Sequence, residues 1–240
     1  MKKNMKAVIL AGGLGKRLRK VVRDKPKSMA PVLGKPFLQY QIEQLKKYNI
    51  MEIVLCVGYL ANQIKSYFQD GVKFGVNIRY AEEEKPLGTA GALKNSRDYL
   101  KDEAFLALNG DSYSEVDFFK FIQFHRKKEG KGTILLTRVP HPKDYGLVKM
   151  DENNRITGFF EKPGKTPSSS IINAGIYLLE PQVLNYIPEG KQISLEKEIF
   201  PHLLKKKIPL FGYLTSDYFI DIGSPQKYAQ IQEDMKEMIR

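Results

Sequence analysis

KAVILAGGLGKRL, residues 6–18, runs a short apolar segment straight into a glycine-rich turn, and the fold is read from that junction. Lys6 to Ala11 has the length and β-branched content of a strand buried on both faces. Similar runs recur at EIVLCVGY (52–59), VNIRYAEE (76–83) and AFLALNG (104–110). Between them lie the helical patterns FLQYQIEQLKKY (37–48), ANQIKSYF (61–68) and ALKNSRDYL (92–100). Strands alternating with helices imply right-handed βαβ crossovers, hence an α/β doubly wound, mainly parallel, Rossmann-like sheet.

Beyond Asp117 the pattern changes. One more amphipathic helix, DFFKFIQFHRKK (117–128), precedes GTILLTRV (132–139), YGLVKMD (145–151), RITGFFEK (155–162) and SIINAGIYLLE (170–180). These runs are separated by Pro and Gly turns with no helix between them, so antiparallel or mixed strands are expected to extend the sheet. A helix around LEKEIFPHLLKKK (195–207), strands at IPLFGYL (208–214) and DYFIDIG (217–223), and a last helix from Ser224 follow. No repeat or biased linker divides the 240 residues, so one domain over 1–240 is expected.

Composition narrows the function classes. With 42% hydrophobic and 28% charged residues the chain can bury a core. No apolar run approaches the roughly 20 residues that cross a bilayer, and MKKNMKAVILAGG reaches glycines before a secretory core forms, so a cytoplasmic protein is expected. Cys56, the single cysteine, sits within IVLCVG and reads as a buried, inert thiol. The formal charge of +12 is spread along the chain, and Lys205 to Lys207 reads as a solvated helix end. Nucleic-acid binding expects basic and aromatic residues grouped in one module, so neither nucleic acid nor membrane is expected as a partner. His125, His141 and His202 are scattered without zinc-ligand spacing.

The turn after the first strand is built for anions. Gly12, Gly13 and Gly15 allow backbone N–H groups to approach phosphate oxygens, while Lys16 and Arg17 add charge. It lacks the GK[ST] ending of a P-loop and the Rossmann glycine spacing, so by itself it marks only a turn suited to phosphate. The next segment, DKPKSMAPVLGKPFL (24–38), supplies Lys27.

Together GGLGKRL and KPKSMAPVLGKPFL resemble the N-terminal signature of the sugar-phosphate nucleotidyltransferases. The resemblance continues in order through PLGTAGAL (86–93), LNGDS (108–112), EKP (161–163), INAGIY (172–177) and FIDIGSP (219–225). Among members, the chain looks most similar to D-glycero-D-manno-heptose 1-phosphate guanylyltransferases, then to mannose-1-phosphate guanylyltransferases. The resemblance implies the nucleotide-diphospho-sugar transferase fold and in-line attack of a sugar 1-phosphate on the α-phosphorus of a nucleoside triphosphate, releasing pyrophosphate.

It also implies roles. Leu10, Ala11, Gly12, Gly13, Gly15 and Lys16 would line the nucleotide, Arg17 would hold the leaving pyrophosphate, and Lys27 would bridge phosphates at the reaction centre. Asp111 and Asp221 end apolar runs, where ligands of open α/β sheets bind, and carboxylates there suit Mg²⁺ as cofactor. The family uses the matching pair as metal ligands. The loop YAEEEKPLGTAG would surround the base, with Gly88 and Thr89 opening a helix. Two acceptor oxygens on Glu83 match the N1–H and N2–H₂ donors of guanine, which favours GTP. For the sugar phosphate, the matching positions are Gly146, Glu161, Lys162, Asn173 and Gly175.

The chain departs from many members in having Lys16 where they have threonine. It also ends soon after FIDIGSPQKYAQIQEDM, so no C-terminal β-helix domain is expected. The expected product is a GDP-heptose or GDP-mannose for polysaccharide or glycan assembly, with a homo-oligomer left open. Two alternatives stand: a thymidylyl- or uridylyltransferase acting on glucose 1-phosphate, and a catalytically silent nucleotide-sugar-binding regulator.

Overall fold

A computed structural model describes residues 5–15, 17–142, 145–161 and 170–239. The elements in chain order are β1 (Lys6–Leu10), the hairpin β2 (Pro31–Val32) and β3 (Lys35–Pro36), α1 (Phe37–Lys47), β4 (Glu52–Val57), α2 (Ala61–Phe68), β5 (Asn77–Glu82), α3 (Gly88–Asn95), α4 (Arg97–Leu100), β6 (Phe105–Asn109) and β7 (Ser112–Ser114). Then come α5 (Phe118–Lys128), β8 (Gly132–Arg138), β9 (Gly146–Met150), β10 (Ile156–Glu161), β11 (Ile171–Leu179), α6 (Phe200–Lys205), β12 (Leu210–Leu214), β13 (Phe219–Asp221) and α7 (Pro225–Ile239).

Among the described residues, nine strands form one sheet, ordered β10-β9-β11-β6-β1-β4-β5, with β8 on β11 and β12 on β8. β1 pairs in parallel with β4 and β6, and β4 with β5. The strands after α5 bring the antiparallel pairs β6–β11, β11–β8 and β9–β10, as their helix-free spacing requires. β12 departs from that trend by lying parallel to β8. The π-helical turn Leu195–Ile199 and α6 precede β12 and complete the crossover such a pairing needs.

Burial follows the strand period of two. Ala7 and Ile9 pack with Leu38, Ile42 and Leu45 of α1 on one face. Val8 packs with Ala90 and Leu93 of α3 and Phe200 of α6 on the other. Covered on both faces, β1 has to be apolar from Ala7 to Leu10, which is why it reads so plainly in the sequence. A third cluster joins Leu18, Val22 and Val32 to Phe37, Ile220, Ile222, Ile231 and Met235. It pins the segment after the glycine turn against β13 and α7, so the two ends of the chain meet. No helix of the described residues is long and apolar enough to cross a membrane.

Candidate active site

The chain leaves β1 for β4 and β5 on one side and returns to β6 on the other, so strand order reverses beside β1. A crevice opens there at the carboxyl ends of the strands. Ala11 N–H donates to Cys56 O (2.8 Å) and Gly110 N–H to Leu10 O (3.0 Å), fixing the glycine turn and Asp111 side by side. The cleft they border has a volume of about 470 Å³. Of the residues expected at the nucleotide, Leu10, Ala11, Gly12, Gly13, Gly15, Arg17, Lys27, Glu83, Gly88, Thr89 and Asp111 all line it. Lys16 lies outside the described residues.

Local sequence explains the shape. Gly15 has a φ of +57°, and a Cβ there would stand 3.0 Å from Lys27 Cβ, so the turn closes directly on the Lys27 stem. Gly12 faces Glu83, whose Oε1 would lie 2.6 Å from an added Cβ. Of the lining residues that sequence reasoning did not name, two carry unpaired polar atoms. Ser28 Oγ and Asn109 Oδ1 are buried without a hydrogen-bond partner among the described residues, and both border the cleft. A buried polar atom left unpaired costs stability unless a ligand or water completes it.

Charge at the centre is arranged as two pairs. Lys27 Nζ donates to Asp111 Oδ2, with the lysine side chain 14% and the aspartate 37% exposed. Asp221 Oδ2 accepts from Lys227 Nζ at 2.5 Å, and Asp221 Oδ1 accepts from Gly223 N–H at 2.8 Å. Burial alone would raise the Asp221 carboxyl. The hydrogen bond and charge of Lys227, helped by Tyr145 and the Gly223 N–H, outweigh it and hold the group below the usual range. β7 and β13 bring the aspartates together: Asp221 registers opposite Ser112, and Ile222 N–H donates to Asp111 O at 2.9 Å. No group of three or more His, Cys, Asp or Glu residues among those described is placed to hold a metal.

On the base side, Glu83 Oε2 accepts the Leu87 N–H at 2.9 Å and shapes the loop that enters α3. Burial raises its pKa, and that hydrogen bond offsets the effect only in part. Its neighbours in the acidic run do other work: Glu82 pairs with Lys65, and Glu84 is exposed. Thr89 lines the cleft, but its hydroxyl is committed inward, donating to Glu196 Oε2 and accepting from Leu195 N–H, both at 2.8 Å. Glu196 was missed by sequence reasoning. It also accepts from Ser194 Oγ (2.7 Å) and Tyr177 OH (2.8 Å), and Tyr177 OH in turn accepts from Asn173 Nδ2 (2.8 Å). Burial and the Glu196 charge raise the Tyr177 hydroxyl well above its ordinary pKa. A hydrogen-bond chain centred on the Glu196 carboxylate thus runs from the start of α3 to β11.

The residues expected at the sugar phosphate gather next to this chain. Gly146 registers opposite Glu161, and Ile172 opposite Leu147, so Gly146, Glu161 and Asn173 come from three adjoining strands. Gly175 occupies an irregularity of β11 with a φ of +73°, and its N–H donates to Asn173 Oδ1 at 2.9 Å. A Cβ at Gly175 would lie 2.7 Å from Asn109 Nδ2, which joins this group to the nucleotide cleft. Lys162 lies outside the described residues. Cys56 is buried, and its thiol is pushed up to about 12, chiefly by desolvation, which leaves it without nucleophilic character.

A nucleotidyl transferase family model matches residues 6–238. A D-glycero-alpha-D-manno-heptose 1-phosphate guanylyltransferase of Campylobacter jejuni is 39% identical over 93% of this chain and 97% of its own length. A mannose-1-phosphate guanylyltransferase of Mycobacterium tuberculosis is 35% identical over 95% of this chain, and a UTP--glucose-1-phosphate uridylyltransferase of Synechocystis is 37% identical over 94%. The chain spans 64% and 62% of the lengths of those two relatives, respectively. Among solved structures, HddC from Yersinia pseudotuberculosis complexed with GMP-PN superposes with a TM-score of 0.83 at 33% identity, covering 96% of this chain and 99% of that one.

Proposed function

Because this chain belongs to the nucleotidyl transferase family, we propose that it transfers a guanylyl group from GTP to a sugar 1-phosphate, giving a GDP-sugar and pyrophosphate. The observation that carries this reading is the Lys27–Asp111 pair, which stands between the glycine turn and the Asn109–Gly175 contact. An oxygen of the sugar phosphate attacks the α-phosphorus, and the bond from that phosphorus to the pyrophosphate oxygen breaks. Both substrates are polyanions, so the site has to neutralise charge and align the reactants, and no covalent nucleophile is needed.

In this reading the backbone N–H groups of Gly12, Gly13 and Gly15 cradle the triphosphate, Arg17 holds the leaving pyrophosphate, and Lys27 bridges phosphates at the reacting centre. The donor set fits Mg²⁺, since two acceptor-only carboxylates from neighbouring strand positions leave the remaining coordination to phosphates and water. Each carboxylate already carries a lysine ammonium in the cation's place. A bound magnesium ion would supply charge neutralisation on the phosphates. Asp111 and Asp221 would hold it, with Ser112 and Gly223 orienting the carboxylates.

Glu83 supports guanine, because its carboxylate, an acceptor suited to the donors of that base, lines the cleft, and the heptose and mannose relatives are named guanylyltransferases. Asn173 and Glu161 would bond sugar hydroxyls, and Lys162 the phosphate. The product on this reading is a GDP-heptose or GDP-mannose. Uridylyl or thymidylyl transfer to glucose 1-phosphate is the second reading, favoured by the Synechocystis relative. A silent regulator would have no use for Arg17, Lys27, Asp111 and Asp221 together. The test is pyrophosphate release over a matrix of nucleoside triphosphates and sugar 1-phosphates. Activity confined to GTP supports the proposal, and equal turnover of UTP removes the argument from Glu83.

A further inference from the structure

Lys227 has no role in the proposed function, yet its ammonium is bonded directly to the Asp221 carboxylate. It lies in the first turn of α7, where Ser224 accepts its N–H through Oγ (3.4 Å) and Pro225 opens the helix, so its position is set by the helix start. Its ammonium makes three interactions. It donates to Asp221 Oδ2 at 2.5 Å, donates to Tyr145 OH, and stands 3.9 Å from the centre of the Tyr145 ring. Tyr145 directly precedes Gly146, the first residue of β9 and part of the expected sugar-phosphate set. Lys227 therefore bridges the metal carboxylate and the sugar-side strands. Its side chain is 27% exposed and that of Asp221 18%, so the pair is partly shielded from solvent.

We propose that Lys227 is the resident counter-cation of Asp221, displaced when the metal ion binds and then used as a phosphate ligand for the sugar 1-phosphate. The inference rests on the proposed function, in which Asp221 is a metal ligand. Asp221 Oδ1 is committed to Gly223 N–H, so Oδ2 is the oxygen a metal would take, and Lys227 occupies it. Metal and ammonium compete for one carboxylate oxygen. The displaced ammonium keeps Tyr145 as a platform through its ring and hydroxyl, which directs the charge toward Gly146 rather than into solvent. Lys27 on Asp111 repeats the arrangement, so the metal-free site carries two internal pairs in place of two exposed negative charges.

The test is Mn²⁺ binding to the substrate-free protein by electron paramagnetic resonance, with Mn²⁺ as the probe, alongside steady-state kinetics. Lys227→Met should tighten Mn²⁺ about fivefold, the size expected for losing a partly exposed competing ion pair. It should also raise KM for the sugar 1-phosphate about tenfold while leaving KM for GTP within about twofold. Lys227→Gln, which keeps a hydrogen-bond donor without charge, should behave likewise and covers the case in which the methionine variant does not fold. Lys227→Arg should retain near-normal Mn²⁺ affinity. Wild-type Mn²⁺ binding that Asp221→Ala leaves unchanged refutes the metal assignment beneath the inference. An Asp221-dependent site whose affinity neither neutral Lys227 variant changes refutes the role of Lys227 alone.

Discussion

Gly12 and Gly13 are adjacent in sequence and chemically identical, yet alanine at each should have a different consequence. At Gly12 no positive φ demands glycine, so the effect of Gly12→Ala is steric. The new Cβ would stand 2.6 Å from Glu83 Oε1 and 3.2 Å from Glu83 Cδ, well inside van der Waals contact. To relieve it the carboxylate must retreat by about half an ångström, while its other oxygen holds the Leu87 N–H at 2.9 Å. Losing that charge-assisted bond costs about 1.5 kcal/mol and frees the loop at the entrance to α3. At roughly 1.4 kcal/mol per decade, KM for GTP should rise about tenfold. Gly13 is exposed in the cleft, and a Cβ there meets nothing within 4 Å. Gly13→Ala should therefore leave the melting temperature unchanged and raise KM for GTP only by crowding the phosphates. Calorimetric melting and pyrophosphate-release kinetics separate the two. A Gly12→Ala variant that melts and turns over like the wild type, or a Gly13→Ala variant whose melting temperature falls as much as that of Gly12→Ala, would refute the steric role of Glu83.

Three other outcomes are expected. Because burial raises Glu83, it takes up a proton above the ordinary carboxylate value of 4.5, and a protonated carboxyl loses acceptor capacity for guanine. GTP affinity should weaken as pH falls through that range, and Glu83→Gln, compared over the same pH series to cancel titration of the nucleotide, should lose this component. His125 is buried between Thr133 Oγ1 (2.8 Å) and Glu180 Oε1 (3.3 Å), and burial lowers its pKa despite Glu180. The unfolded chain then binds the extra proton first, so stability should decline as pH drops below 6.5 and level off above it; an urea-denaturation series in which His125→Gln shows the same slope would contradict this. Glu196→Gln replaces a carboxylate that accepts three hydroxyls, from Thr89, Ser194 and Tyr177. It should destabilise by about 1–3 kcal/mol and raise KM for both substrates, an effect confined to one substrate being the adverse result.

What the sequence disclosed and what it hid follow from the reach of periodic patterns. The interiors of β1, β4 and β6 are apolar because helices cover both faces, so they announce themselves, and the glycine turn, Asp111 and Asp221 could be placed at their carboxyl ends or at a neighbouring strand end. β7 and β13 are three residues each and far apart along the chain, and nothing in SYS or FID states that they pair. That pairing is what sets Asp221 opposite Ser112. Glu83 was legible as an acid in a loop, but only the fold separates it from Glu82, which turns to Lys65. Thr89 was expected to face the nucleotide, whereas its hydroxyl belongs to Glu196, a residue that reads as an ordinary helix glutamate until the π-helical turn is seen. Lys227 resembles any solvated lysine of an amphipathic helix. Long-range contacts made by single side chains leave no period in the sequence, and Glu196 with Thr89 and Lys227 with Tyr145 are of that kind.

The most direct measurement follows the α-phosphate itself. With GTP labelled at the α-phosphorus and mannose or D-glycero-D-manno-heptose 1-phosphate as acceptor, guanylyl transfer sends the label into a GDP-sugar and leaves pyrophosphate unlabelled, only when acceptor and Mg²⁺ are both present. Label appearing in free GDP or GMP at a rate indifferent to the sugar 1-phosphate, or remaining in GTP with every acceptor, would contradict guanylyl transfer as the function of this cleft.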